Sequence, residues 1–152
     1  MMKMMNEAIK MAKKAFNKNE IPIGAVISFN GEIIAKAHNT VEAKKDCTCH
    51  AEINAIKKAC KKLSSKTLDG CEMYVSVEPC AMCAGAIINS RIKRLYIGCE
   101  EPKTGCCISK ANLMKPGLFN HDVECYFGIN EDESKSLMKS FFENKRKKAV
   151  KN

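Results

Sequence analysis

Four side chains of this sequence can do chemistry together. His50 and Glu52 stand in His-Ala-Glu, and Cys80 and Cys83 in Val77-Glu-Pro-Cys-Ala-Met-Cys83. They supply one imidazole, two thiols and one carboxylate: three candidate metal ligands and one proton carrier. Ten cysteines in 152 residues make a C-x-x-C pair common in itself. Composition alone yields about 0.6 such pairs, about 0.3 His-x-Glu and about 0.02 Pro-Cys-x-x-Cys. All three together are expected about 0.005 times by accident, so the combination is specific where its parts are not.

Spacing supports a metal reading. Cys80 and Cys83, at i and i+3, share one side of a helix's first turn, and Pro79 just before them suits a helix start. The positive end of the helix dipole lowers the thiol pKa toward the metal-binding thiolate. His50 opens a second predicted helix. One imidazole and two thiolates suit a single zinc ion and leave its fourth tetrahedral position to water, the mark of a catalytic rather than a structural site. Glu52 can then carry that water's proton. A thioredoxin-like redox pair has no use for the His-Ala-Glu.

These motifs need a scaffold. Residues 4–17 form an amphipathic helix, with Met5, Ile9, Ala12 and Phe16 on one face. Strands are predicted at 24–29 and 32–37, joined by Asn30-Gly31, a strong hairpin turn. A polar loop covers 40–49, and the His50 helix runs to residue 62, burying Ile53, Ile56 and Cys60 and turning Lys57, Lys58, Lys61 and Lys62 outward. A third strand spans 71–77, the Cys80 helix continues to 89, and a fourth strand spans 93–99. Residues 100–119 carry two Pro and two Gly with weak periodicity, a long loop of the kind that is usually functional. A fifth strand is expected at 123–129. Asn130 and Glu133 read as a capping box for a last helix that buries Leu137, Met138, Phe141 and Phe142 and ends near Lys148. A hairpin followed by alternating helices and strands implies an α/β fold, one mixed five-stranded sheet with helices on both faces, in a single domain over 1–152. Ligands then gather at the carboxyl ends of the strands, just where both motifs begin.

Composition bounds the setting. No apolar run approaches ~18 residues, and the start carries Lys3, Glu7 and Lys10, so neither a membrane span nor a signal peptide is expected. The cysteines fit reduced thiols of a cytoplasmic protein better than a disulfide framework. A net charge of +9 favours a polyanionic partner over mere solubility.

His-Ala-Glu answered by Pro-Cys-x-x-Cys resembles the zinc-dependent nucleobase deaminases. Ser76-Val-Glu-Pro-Cys-Ala-Met-Cys-Ala-Gly-Ala-Ile-Ile-Asn-Ser-Arg-Ile92 narrows the resemblance to the bacterial tRNA-specific adenosine deaminases. So do Glu20-Ile-Pro-Ile-Gly-Ala-Val26, Lys103-Thr-Gly105, Asn120-His121 and Phe141-Phe142, and together these matches run from about Ala8 to Arg146. The resemblance implies a three-layer α/β/α, cytidine-deaminase-like fold, a homodimer with each site near the partner, and hydrolysis of a wobble adenosine to inosine in a tRNA anticodon stem-loop. Zinc would be held by His50, Cys80 and Cys83, with Glu52 as the catalytic proton shuttle. It further implies that the Asn39 amide and the Ala51 N–H read the base, that Ile21 and Val77 wall it, and that Lys103, Asn120, His121 and Phe142 touch the RNA. A basic surface with aromatics suits a splayed single-stranded loop.

Two departures bear on the loop contacts. Glu101 stands where the family commonly has Asp, and Cys106-Cys107-Ile108-Ser109 where it has small residues ending Gly-Ser. Two other readings stay open at this level: a guanine or cytosine deaminase acting on free bases or nucleosides, and a non-catalytic RNA-binding module stabilised by zinc through a fourth cysteine.

Overall fold

The computed structural model describes residues 1–151. Helix α1 (Met2–Asn17) buries Met5, Ala8, Ile9, Met11, Ala12 and Ala15 along one face. Strands β1 (Gly24–Phe29) and β2 (Glu32–His38) form the hairpin. Asn30 and Gly31 take φ of 51° and 79°, as a two-residue turn with both central residues in the left-handed region requires. The polar stretch after β2 contains one short helix that its sequence pattern does not announce, α2 (Val41–Lys44). Then follow α3 (Ala51–Leu63), β3 (Glu72–Val77), α4 (Ala81–Asn89), β4 (Arg94–Cys99), β5 (Glu124–Tyr126) and α5 (Glu131–Lys151).

The sheet order is β2-β1-β3-β4-β5. β1 pairs antiparallel with β2 and β3, whereas β3, β4 and β5 run parallel. The amino end of β1 and the carboxyl ends of β2, β3 and β4 therefore meet at one end of the sheet, and the site is built there.

Side-chain alternation sorts the core into two layers. Ala25 and Ile27, Met73 and Val75, and Leu95 and Ile97 point to the face covered by α3 and α4. Val26, Tyr74 and Tyr96 point to the face covered by α1 and α5. On that second face Tyr74, Tyr96 and Tyr126 stack across three strands, with ring centroids 4.5 and 5.1 Å apart. Helix α5 approaches closely at Gly98, where a Cβ would overlap the Ser76 carbonyl and stand 2.6 Å from Ser134 Oγ.

Several elements differ from their sequence pattern. The predicted helix starts at His50 and Cys80 are N-caps, each with extended backbone, and Pro79 lies one residue outside its helix. On α3 the small residues Ala51, Ala55 and Ala59 are buried together with Glu52, while Ile53, Ile56 and Cys60 are only half-buried, because the helix lies close against the sheet. β5 is three residues long rather than seven, and the parallel crossover into it is made of turns. Asn130 adopts φ 56°, so it does not form the extended cap of a capping box. Its amide instead donates to Glu133 Oε2 and to Asn6 Oδ1, both at 3.1 Å. On α5 only Ser134 is fully buried, and Leu137, Met138, Phe141 and Phe142 are half-buried. Beyond Gly98 the helix divides its inner side chains, with Leu137 and Phe141 packing toward α1 and Met138 and Phe142 lining a cleft.

Candidate active site

Cys80 and Cys83 come from the turn after β3 and the first turn of α4, and His50 from the cap of α3. His50 Nδ1 stands 3.6 Å from Cys80 Sγ and 3.5 Å from Cys83 Sγ. The three donor atoms lie within 4.8 Å of one another, and no further cysteine among the described residues joins them. That removes the fourth thiolate on which a purely structural zinc site would depend.

The electrostatics are those of a coupled cluster. Hydrogen bonding from Cys83, and then from His50, pulls the Cys80 pKa down to about 4 against the opposing effect of burial. Cys83 moves the other way, pushed up by its bond to Cys80, by burial and by the charge of Glu52. Between the two sulfurs, one proton is thus held on Cys83. The adjacent Cys80 sulfur, ahead of the Glu52 charge, raises His50 above its usual value despite burial.

Glu52, in the first turn of α3, is 2% exposed. Burial raises its carboxyl pKa, with Cys83, its own backbone N–H and His50 pulling in the opposite direction. Its Oε1 has no hydrogen-bond partner in the protein. A buried carboxylate oxygen left unpaired in this way is costly unless a ligand or water satisfies it. The donor set of one imidazole nitrogen and two sulfurs, with this orphan oxygen beside it, fits zinc and a water.

A cleft of about 630 Å³ opens over the cluster, lined by His50, Glu52, Cys80, Ile21 and Val77. A smaller lobe of about 180 Å³ shares Ile21, Ile23 and His50 with it and adds Asn39 and Ala51. Asn39 is 5% exposed and accepts a long bond from Val41 N–H (3.4 Å), so its amide is largely uncommitted. The N–H of Ala51, first in its helix, has no intrahelical acceptor. Lys103 and Phe142 both line the main cleft, one from the loop after β4 and the other from α5. Asn120 does not line either lobe; it is exposed on the β4–β5 connection. His121 is committed elsewhere, with Nε2 donating to the Ile92 carbonyl at 2.8 Å.

Sequence reasoning missed three contributions. Lys135, Met138, Lys139 and Arg146 of α5 complete the cleft, through a helix whose placement depends on the Gly98 contact. Glu20, 1% exposed, accepts the N–H groups of Glu42 and Ala43, both at 2.8 Å, and so ties the segment after Asn39 to the one before Ile21. Glu78 binds the loop after β4. Burial alone would raise its pKa, but bonds from the Ser109 hydroxyl and from backbone N–H groups hold it below the usual carboxylate range. Both acids sit inside recognisable motif text, where nothing marks them as buried.

The chain matches the family model of the MafB19-like deaminases over residues 1–146. It is 46% identical to the tRNA-specific adenosine deaminase of Bacillus subtilis, an alignment covering 95% of this chain and 89% of that one. Among solved structures it resembles one from a study of A-to-I editing by tRNA:A34 deaminases at the wobble position of transfer RNA. There the TM-score is 0.86 at 38% identity, covering 89% of this chain and 98% of the other. A guanine deaminase from Bacillus subtilis shares 42% identity but covers 64% of this chain and 63% of its own, with a TM-score of 0.63. The extent of these matches, together with a buried carboxylate set beside one imidazole and two thiols, shows that this chain belongs to the tRNA-specific adenosine deaminase family of the MafB19-like deaminases.

Proposed function

We propose that the protein hydrolyses the wobble adenosine of a tRNA anticodon to inosine. The observation that carries this reading is the unpartnered Glu52 Oε1, buried beside three metal donors at the floor of a cleft wide enough for a flipped nucleotide. His50, Cys80 and Cys83 would hold one zinc ion per chain. When bound, zinc acts as a Lewis acid that brings the pKa of a water from 15.7 to about 7.

The remaining steps belong to the chain. Glu52 accepts the proton of the attacking water and delivers it to N1 of the adenine as oxygen bonds to C6. Burial raises its carboxyl pKa above the ordinary carboxylate value, which favours its holding the proton between the two transfers. A second proton passes through Glu52 to the leaving nitrogen; the C6–N bond breaks and ammonia departs, with one water consumed per inosine formed. Asn39 and the Ala51 N–H orient the base edge, and Ile21 and Val77 exclude bulk water from its faces. Lys103 and Phe142 grip the flanking nucleotides by charge and stacking. The net charge of +9 supports an RNA substrate over a free base.

The reading takes residues 1–152 as one deaminase domain, working in the cytoplasm where tRNA is found and thiols stay reduced. It takes the protein as a homodimer. Exposed Met82, Ile108, Leu118 and Phe119, on α4 and the β4–β5 connection, support a partner surface there. Asn120, outside the lining of its own cleft, would then serve the partner's. Sedimentation of a monomer at micromolar concentration would remove this element. Among the described residues, no helix is long and apolar enough to cross a membrane.

The deciding experiment mixes zinc-loaded protein with a synthetic anticodon stem-loop bearing a wobble adenosine and quantifies inosine by nucleoside mass spectrometry. Inosine formation is expected. No inosine from the stem-loop or from full-length tRNA, with zinc bound, would overturn the proposal.

A further inference from the structure

We infer that Glu78 is a positioning residue for substrate: its carboxylate holds residues 101–109 in place as the wall of the cleft that grips RNA. The inference rests on the function proposed above. Glu78 is 3% exposed, and its side chain accepts five hydrogen bonds, all from this one segment. Oε1 accepts from Glu101 N–H at 3.1 Å and from the Ser109 hydroxyl at 2.5 Å. Oε2 accepts from the N–H groups of Cys107, Ile108 and Ser109 at 3.0, 2.8 and 2.9 Å. A carboxylate is an acceptor only, and bonds to a charged acceptor are the strong ones. The segment wraps the group so tightly that a Cβ on Gly105 would collide with the carboxyl, standing 2.5 Å from Oε1.

Residues 101–109 are turns, with no helix or strand ladder to hold them. Yet Glu101, Pro102, Lys103 and Thr104 line the cleft beside the donor cluster. The anchor reaches the loop from the residue directly after β3, on the strand that leads into the Cys80 turn. It therefore fixes the distance between the reacting centre and the RNA-gripping wall. Four of the five donors are backbone N–H groups, so the side chains of Cys107 and Ile108 are irrelevant to the anchor. That is the physical reason this chain can depart from its family at those positions and keep the wall. The metal donors and Glu52 lie on other segments, so loosening the wall weakens RNA binding more than it slows the chemical step.

The test is Glu78→Gln, which keeps the shape but turns two donors toward a cluster of donors. Two readouts are taken on the zinc-loaded protein. Amide hydrogen exchange at Cys107, Ile108 and Ser109 is expected to accelerate about tenfold or more while the α4 amides of Ile87 and Ile88 stay unchanged. With the stem-loop, KM is expected to rise about tenfold, with kcat within about threefold and zinc content unaltered. Unchanged exchange at the three amides, or a fall in kcat at constant KM, would overturn the inference. Should wild-type protein make no inosine, the function proposed above falls, and the exchange result still decides whether Glu78 anchors the wall. Should Glu78→Gln fail to fold, Ser109→Ala removes one donor of five. It should show the same pattern at about two- to threefold, and no change in either readout would count against the anchor.

Discussion

His50 Nδ1 lies 3.6 Å from Cys80 Sγ although 30 residues separate them. The proximity follows from strand direction. β1 turns back on β2 and runs against β3, so the chain leaves β2 and β3 at the same end of the sheet. The α3 cap after the first exit and the Cys80 turn after the second then face one another. Two consequences separate the metal donors from the proton carrier.

Glu52→Ala is expected to retain zinc and to lose kcat by ~10²–10⁴-fold, because it removes the proton carrier and no ligand. Cys83→Ala should lose zinc and activity together. Metal content by elemental analysis, set beside inosine formation, separates the two outcomes. Chelation of the wild type should abolish activity, and added zinc should restore it. A Glu52→Ala protein of normal activity would contradict the proton-carrier role.

Metal uptake should release protons in a particular number. With its pKa near 4, Cys80 is already a thiolate at neutral pH, whereas Cys83 and a share of His50 still carry protons. Zinc binding at pH 7 should therefore release between one and two protons rather than between two and three. Lowering the pH should weaken binding, first through His50 and Cys83 and through Cys80 only as pH approaches 4. Calorimetry in buffers of differing ionisation enthalpy counts the protons directly, and a value above two would mean that Cys80 starts as a thiol.

The Gly98 contact ties the core to the cleft. Gly98→Ala should push α5 from the sheet, since its Cβ would overlap the Ser76 carbonyl and crowd Ser134. A cost of about 1–3 kcal/mol is expected from overpacking. Because Lys135, Met138, Lys139, Phe142 and Arg146 ride on that helix, RNA affinity should fall while zinc content holds. Denaturant unfolding and stem-loop binding measure the two effects, and a loss of stability without loss of affinity would uncouple them.

Binding should be strongly salt-dependent. For a single-stranded target, log K falls against log salt with a slope of about −0.7 per phosphate contact. Lys139→Ala, at the cleft, should reduce the slope by about 0.7, whereas Lys62→Ala, exposed on α3 away from the cleft lining, should leave it unchanged. Fluorescence anisotropy with Glu52→Ala, which binds without turnover, gives the slopes.

The sequence by itself determined the parts whose geometry is local. The i, i+3 spacing of Cys80 and Cys83, the Asn30-Gly31 turn, the strands at 24–29, 71–77 and 93–99 and the His-Ala-Glu text are each set within a few residues of chain, and each appears in the fold close to its expected place. Sheet direction and the family match followed from the same signals. What tertiary structure alone decided depends on partners that no periodicity connects. Glu78 meets residues 101–109, and Glu20 meets residues 42 and 43, across more than 20 positions of chain. A charged residue in a motif looks the same whether it faces water or receives five hydrogen bonds. α5 likewise reads as a helix with a core stripe, yet its inner side chains are half-buried, because Leu137 and Phe141 pack toward α1 while Met138 and Phe142 line the cleft. Local spacing reports the chain's own geometry; the walls of the site are made where distant segments supply what each other's buried polar groups require.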